Sequence, residues 1–140
     1  MEVNNLTKIA ISRQFLKGVA KKVLMGENRK EETLSVAVVD KKEMESLNSS
    51  YRNKQEPTDV LSFDLSCKIL ESKNAMGLGE VVICPEKIRE NAEKYNIDFK
   101  KELTKVLIHG ILHLLGYDHE RSEKDAKIMA KKQDYYLANF

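Results

Sequence analysis

Hydrophobic positions along this 140-residue chain recur at two spacings, and the switches between them mark out the elements. From Ile11 to Met25 the apolar residues Phe15, Leu16, Val19, Val23 and Leu24 fall three and four apart, with Lys17, Lys21 and Lys22 between them. That is the stripe of an amphipathic helix, ending at Gly26. Leu34 to Val39 is β-branched and half-alternating, which predicts a central strand. Asp40 is placed to cap a helix through about Tyr51, with Glu43 completing a capping-box pattern and Met44 and Leu47 facing inward.

Pro57 breaks the chain before a second strand, Val60-Leu61-Ser62-Phe63. The polar stretch Ser66 to Gly77 reads as a loop, and Glu80 to Cys84 as a third strand that halts at Pro85. Pro85 suits the first turn of a helix running to about Tyr95, with Ile88 and Ala92 inward. Asp98 can cap a long helix reaching Leu115, and a last helix covers about Ser122 to Leu137. With a short extra strand near Glu2 to Asn4, the order predicts an α+β fold. It is a small mixed sheet of three to four strands packed with about five helices. No repeat or linker divides residues 1–140, so one domain is expected.

Composition narrows the function classes only a little. Charged residues are 33% and hydrophobic ones 41%, which matches neither a disordered nor a membrane chain. No stretch reaches the roughly 18 apolar residues of a membrane span, and the N-terminus has no leader pattern, so the expected location is cytoplasmic and no membrane partner is expected. The net charge of +2 permits RNA binding without requiring it. Cys67 and Cys84 stand too far apart for a zinc knuckle or redox pair and are expected to be reduced thiols.

The histidines change the picture. All three, His109, His113 and His119, fall within residues 109–119, on and just beyond the long fourth helix. Four residues on a helix advance one turn and rotate by roughly 40°, so His109 and His113 can aim at one point. On a continued helix His119 would lie roughly 240° away from His113, so the chain must leave the helix between them. Gly116 supplies the exit, because a glycine past a helix end takes the left-handed conformation without a Cβ clash. Three imidazoles without a fourth protein ligand describe an open site, in which zinc keeps a position for a water.

Zinc proteases of the H-E-x-x-H-x-x-G-x-x-H type share this spacing, but here their glutamate position is Gly110. Glycine cannot accept a proton, so the protease mechanism lacks its base. A phosphodiester is an alternative substrate and calls for an arginine fork. Arg52, in Tyr51-Arg52-Asn53-Lys54, is a candidate, although a surface arginine at a helix end has the same appearance. Asp118 can support an imidazole, accept a proton, cap the last helix or face solvent, and Tyr117 can pack or stack on a base. The lysines of the first helix can be a binding face or an ordinary solvated one.

Tyr51-Arg52, Pro57-Thr58-Asp59-Val60-Leu61-Ser62-Phe63, Leu78-Gly79-Glu80-Val81-Val82-Ile83-Cys84 and the His109 to His119 motif together closely resemble the YbeY family of bacterial ribonucleases. The resemblance spans about Val36 to Glu120, with Glu80 where that family usually has aspartate and Asp64 where it often has proline. It implies a single-strand-specific, metal-dependent endoribonuclease acting in ribosomal RNA maturation, at the small-subunit RNA 3′ end, and in ribosome quality control. It implies one zinc ion on His109, His113 and His119, Arg52 as the functional arginine, and RNA and the ribosomal small subunit, not DNA, as partners. Two rival readings remain at this point: a zinc metalloprotease-like hydrolase, and a non-catalytic ribosome-assembly factor with a structural metal.

Overall fold

Four strands, β1 (Glu2–Asn5), β2 (Ser35–Val38), β3 (Val60–Asp64) and β4 (Gly79–Ile83), form one sheet in the order β1-β2-β4-β3. In this computed structural model, residues 1–52, 58–64 and 77–140 are described, without the side chains of Tyr51 and Arg52. β2 runs parallel to both β1 and β4, and β3 pairs antiparallel with β4, leaving β3 as an edge strand. Every residue of β2 and β4 is buried. That is why Val36 to Val39 and Val81 to Cys84 are continuous apolar runs.

Among the described residues there are five helices, α1 (Arg13–Gly26), α2 (Lys41–Arg52), α3 (Pro85–Lys94), α4 (Phe99–Leu114) and α5 (Glu123–Ala138), the last packed on α4. Val36, Val38, Val81 and Ile83 point to one face, where they join Leu16, Val19 and Val23 of α1, Ile88 of α3, and Leu107, Ile108, Ile111 and Leu112 of α4. Ala37, Val82, Leu61 and Phe63 point to the other face and meet Met44 and Leu47 of α2. The fold is therefore the expected α+β arrangement with a mixed four-stranded sheet. No helix among the described residues is long and apolar enough to cross a membrane.

The helix starts follow local chemistry. Ser12, Asp40, Asp98 and Ser122 each accept a hydrogen bond from the backbone N–H three residues on, satisfying a donor that the first helical turn leaves open. Pro85 opens α3, as its fixed φ and missing N–H favour. α1 ends at Gly26, as expected. The left-handed residue beyond it is Asn28, at φ 60°, with Arg29 N–H returning to the Leu24 carbonyl at 2.7 Å. Gly26 itself is small because of packing. A Cβ there would lie 2.5 Å from Tyr136 of α5.

α4 is buried on most of its surface and carries the largest share of the core. Each fully buried Leu or Ile on it contributes roughly 1.5–3 kcal/mol. The helix can sit this close to the sheet because of Gly110. A Cβ at that position would lie 2.7 Å from Val81 Cγ1 and 3.0 Å from Val60 Cγ2. Ser62 Oγ also donates to the Gly110 carbonyl at 2.8 Å, tying the helix to the edge strand. Position 110 is thus a close contact between α4 and the sheet, and its neighbours His109 and His113 emerge beside β3.

Candidate metal centre

His109 and His113 project from α4 into a cleft of about 730 Å³, and His119 enters the same cleft from the segment that follows the helix. The return of the chain is made as the glycine suggested. Gly116 has φ 102°, its N–H bonds to the His113 carbonyl at 3.0 Å, and Tyr117 N–H bonds to the Leu112 carbonyl at 3.1 Å. This pair of bonds is the Schellman motif, which satisfies carbonyls that α4 would otherwise leave open.

The three imidazole centroids lie 4.8, 5.1 and 5.1 Å apart, and one nitrogen from each ring falls within 4.8 Å of the others. Small side-chain rotations close such a set onto the ~2.0–2.1 Å bonds of a zinc–imidazole site. The donors also fit in their protonation. Burial lowers the pKa of His109, against the hydrogen bond it donates to Gln133, and burial followed by the neighbouring His109 lowers that of His113. Both rings are thereby held neutral, the form that ligates. His109 Nδ1 is engaged by Gln133 Oε1 at 2.8 Å, so its Nε2 is the nitrogen left for a metal.

Several cleft residues are given no role of their own by the sequence. Asp59 and Thr58 precede edge strand β3, Glu102 and Lys105 lie on α4 ahead of His109, and Gln133 comes from α5. The spacing Glu102, Lys105, His109, His113 is a helical stripe, so the first two were within reach of a periodicity argument. Gln133 was not, since nothing local relates it to a histidine 24 residues away.

The remaining candidates separate cleanly. Asp118 uses its carboxylate within its own loop: Glu120 N–H donates to Oδ1 at 2.8 Å and Arg121 Nε lies 3.6 Å from Oδ2. It does not cap α5, where Ser122 has that place. Tyr117 packs against the main core and donates its hydroxyl to Glu27. Glu80 is buried on the α2 side of the sheet, hydrogen-bonded by Ser35 at 3.4 Å, and burial raises its pKa; it takes no part in the histidine cleft. Lys22 is engaged by the Asn139 carbonyl and the Phe140 ring, whereas Lys17 and Lys21 are solvent-exposed. Arg52 is the last residue of α2, and its side chain lies outside the described residues, as does Cys67. Cys84 is a buried thiol whose pKa burial raises.

Behind the site, Glu27 accepts hydrogen bonds from Tyr117, Tyr136 and Lys132. Burial acts to raise its pKa, but those three donors outweigh it and hold the carboxyl below its ordinary value of 4.5. A group with a depressed folded-state pKa contributes stability above its unfolded value and loses it as pH falls through the folded one. The stability gap between wild type and Glu27→Gln in urea unfolding should therefore be widest near pH 6 and narrow as pH falls well below 4.5. A gap that does not change with pH would show that the carboxylate charge contributes nothing.

Comparison with known proteins adds a family context. Residues 2–140 match the family model described as Endoribonuclease YbeY. The chain is 38% identical over 130 residues to the Endoribonuclease YbeY of Persephonella marina, covering 93% of this chain and 84% of that protein. It is 40% identical over 128 residues to that of Petrotoga mobilis, covering 91% and 85%. Among solved structures it is similar to the solution structure of TM1509 from Thermotoga maritima. The TM-score is 0.62 with 36% identity, covering 96% of this chain and 86% of the other.

Proposed function

The chain belongs to the YbeY endoribonuclease family across residues 2–140, and from that premise we propose that it is a zinc-dependent endoribonuclease specific for single-stranded RNA. Its place is in ribosomal RNA maturation at the small-subunit RNA 3′ end and in ribosome quality control. The proposal takes residues 1–140 as one catalytic domain, working in the cytoplasm on RNA and the ribosomal small subunit. The observation that carries the reading is the convergence of three imidazoles at a cleft whose adjacent Gly110 is packed on the sheet.

His109, His113 and His119 would hold one zinc ion. When bound, it would supply Lewis acidity and lower the pKa of a water at the open position to about 7. The protein's own contribution is placement. α4 aims two imidazoles into the cleft, the Gly116 reversal brings the third, and Gln133 holds His109 with Nε2 available. Arg52, at the end of α2, is proposed to hold two phosphate oxygens with its planar fork and to stabilise charge there.

The metalloprotease reading needs a carboxylate where Gly110 stands, and a side chain at that position would run into Val81 and Val60. The assembly-factor reading predicts RNA binding without turnover. One experiment separates all three: purified protein is given single-stranded RNA, duplex RNA and casein, with and without a chelator and added zinc. We expect cleavage of the single strand only, abolished by chelation and restored by zinc. Casein hydrolysis with intact RNA would establish the protease, and binding without cleavage would establish the assembly factor.

A further inference from the structure

α5 contributes little to the core. Only Met129 and Tyr136 of its sixteen residues are buried. Its polar side chains nevertheless converge on the histidine site from two directions. Gln133 Oε1 meets His109 Nδ1 at 2.8 Å. One residue earlier and three later, Lys132 and the Tyr136 hydroxyl both bond to Glu27, the residue that closes α1. Glu27 in turn accepts the Tyr117 hydroxyl, and Tyr117 lies on the arm between Gly116 and His119.

We infer that α5 is a positioning element of the metal centre, orienting His109 through Gln133 and holding the His119 arm through the Lys132/Tyr136–Glu27–Tyr117 chain. The inference rests on the proposed metal site and adds to it which residues outside the ligand set build it. Two of the three ligands need such help. An imidazole on a helix can still rotate about its side-chain bonds and can carry its proton on either nitrogen. An acceptor at Nδ1 selects the ring orientation and leaves Nε2 with its lone pair toward the cleft. His119 is exposed and sits beyond a glycine, on a segment with few buried anchors of its own. Tyr117 is the anchor next to it. Its hydroxyl is held by a carboxylate that is itself held by two groups of α5. Gly26 completes the arrangement, since any side chain there would push Tyr136 away from Glu27. His113, in mid-cleft on the last turn of α4, has the rigid helix behind it.

The test uses cobalt(II) in place of zinc on the full chain, because its visible absorption reports both occupancy and ligand geometry. Gln133→Met keeps the length of the side chain but removes the acceptor, and Gln133→Glu keeps only acceptors. Tyr117→Phe keeps the ring in the core and removes the bond to Glu27. We expect Gln133→Met and Tyr117→Phe each to weaken cobalt binding about tenfold or more. Their spectra should be altered, and Gln133→Glu should bind like wild type. Melting of the metal-free proteins monitors packing separately, so weakened binding at unchanged melting assigns the effect to positioning. Wild-type affinity and spectra in both Gln133→Met and Tyr117→Phe would overturn the inference and leave the metal site standing, as would equal losses in Gln133→Met and Gln133→Glu. A wild-type protein that takes up no cobalt or zinc would overturn the metal site and this inference together.

Discussion

Replacing His113 by alanine is expected to lower cleavage of single-stranded RNA by at least about 10³-fold, because a water that the metal no longer activates regains the high pKa of bulk water. The fold should survive the change. His113 is only half-buried, it lies in the last turn of α4, and alanine is a better helix former than histidine. The two remaining imidazoles do not complete a three-ligand site, so stoichiometric zinc should be lost as well. The measurements are zinc content, circular dichroism, and cleavage of a labelled single strand by wild type and variant purified in parallel. Equal cleavage by the two would assign the activity to a contaminant. Loss of cleavage with zinc retained would leave the metal on another set of ligands.

The second large effect concerns Gly110. Restoring the glutamate of the protease pattern, Gly110→Glu, is expected to destabilise the fold severely and not to create a peptidase. The new Cβ would start 2.7 Å from Val81 Cγ1 and 3.0 Å from Val60 Cγ2, where α4 lies against the sheet. Overpacking of this kind costs about 1–3 kcal/mol. A carboxylate forced among buried apolar side chains without a partner adds several more. Against a typical domain stability of about 5–15 kcal/mol, a combined loss of about 4–8 kcal/mol removes most or all of the margin of a domain at the lower end of that range. Gly110→Ala gives the scale. About 1 kcal/mol of helix propensity gained offsets part of the same overpacking, for a net loss of about 0–2 kcal/mol in urea unfolding. A soluble Gly110→Glu protein with near wild-type stability would contradict the packing account. Casein hydrolysis by it would revive the protease reading.

Most of the secondary structure was legible because each element carries its own signal. The α1 stripe, the Asp40, Asp98 and Ser122 caps and Pro85 are local features, and local physics sets them. Gly26 ends α1 as the sequence indicated, but its packing role was not legible: the left-handed turn falls on Asn28, and the glycine makes room for Tyr136, some 110 residues away. The same limit applied to the site. The three histidines and Gly116 form one local motif, whereas Gln133, Glu27 and Asp59 reach the site or its support only through folding.

By itself, then, the sequence determined the α+β class, the helix caps and a three-histidine motif whose glycine turns the chain back, since these depend on spacing along a chain of known geometry. The tertiary structure decided what that motif can be. It pressed Gly110 against Val81 and Val60, brought Gln133 to His109, and closed Glu27 onto Tyr117. Contacts between distant segments follow from how faces pack, and no periodicity within one segment encodes the partner that will lie against it.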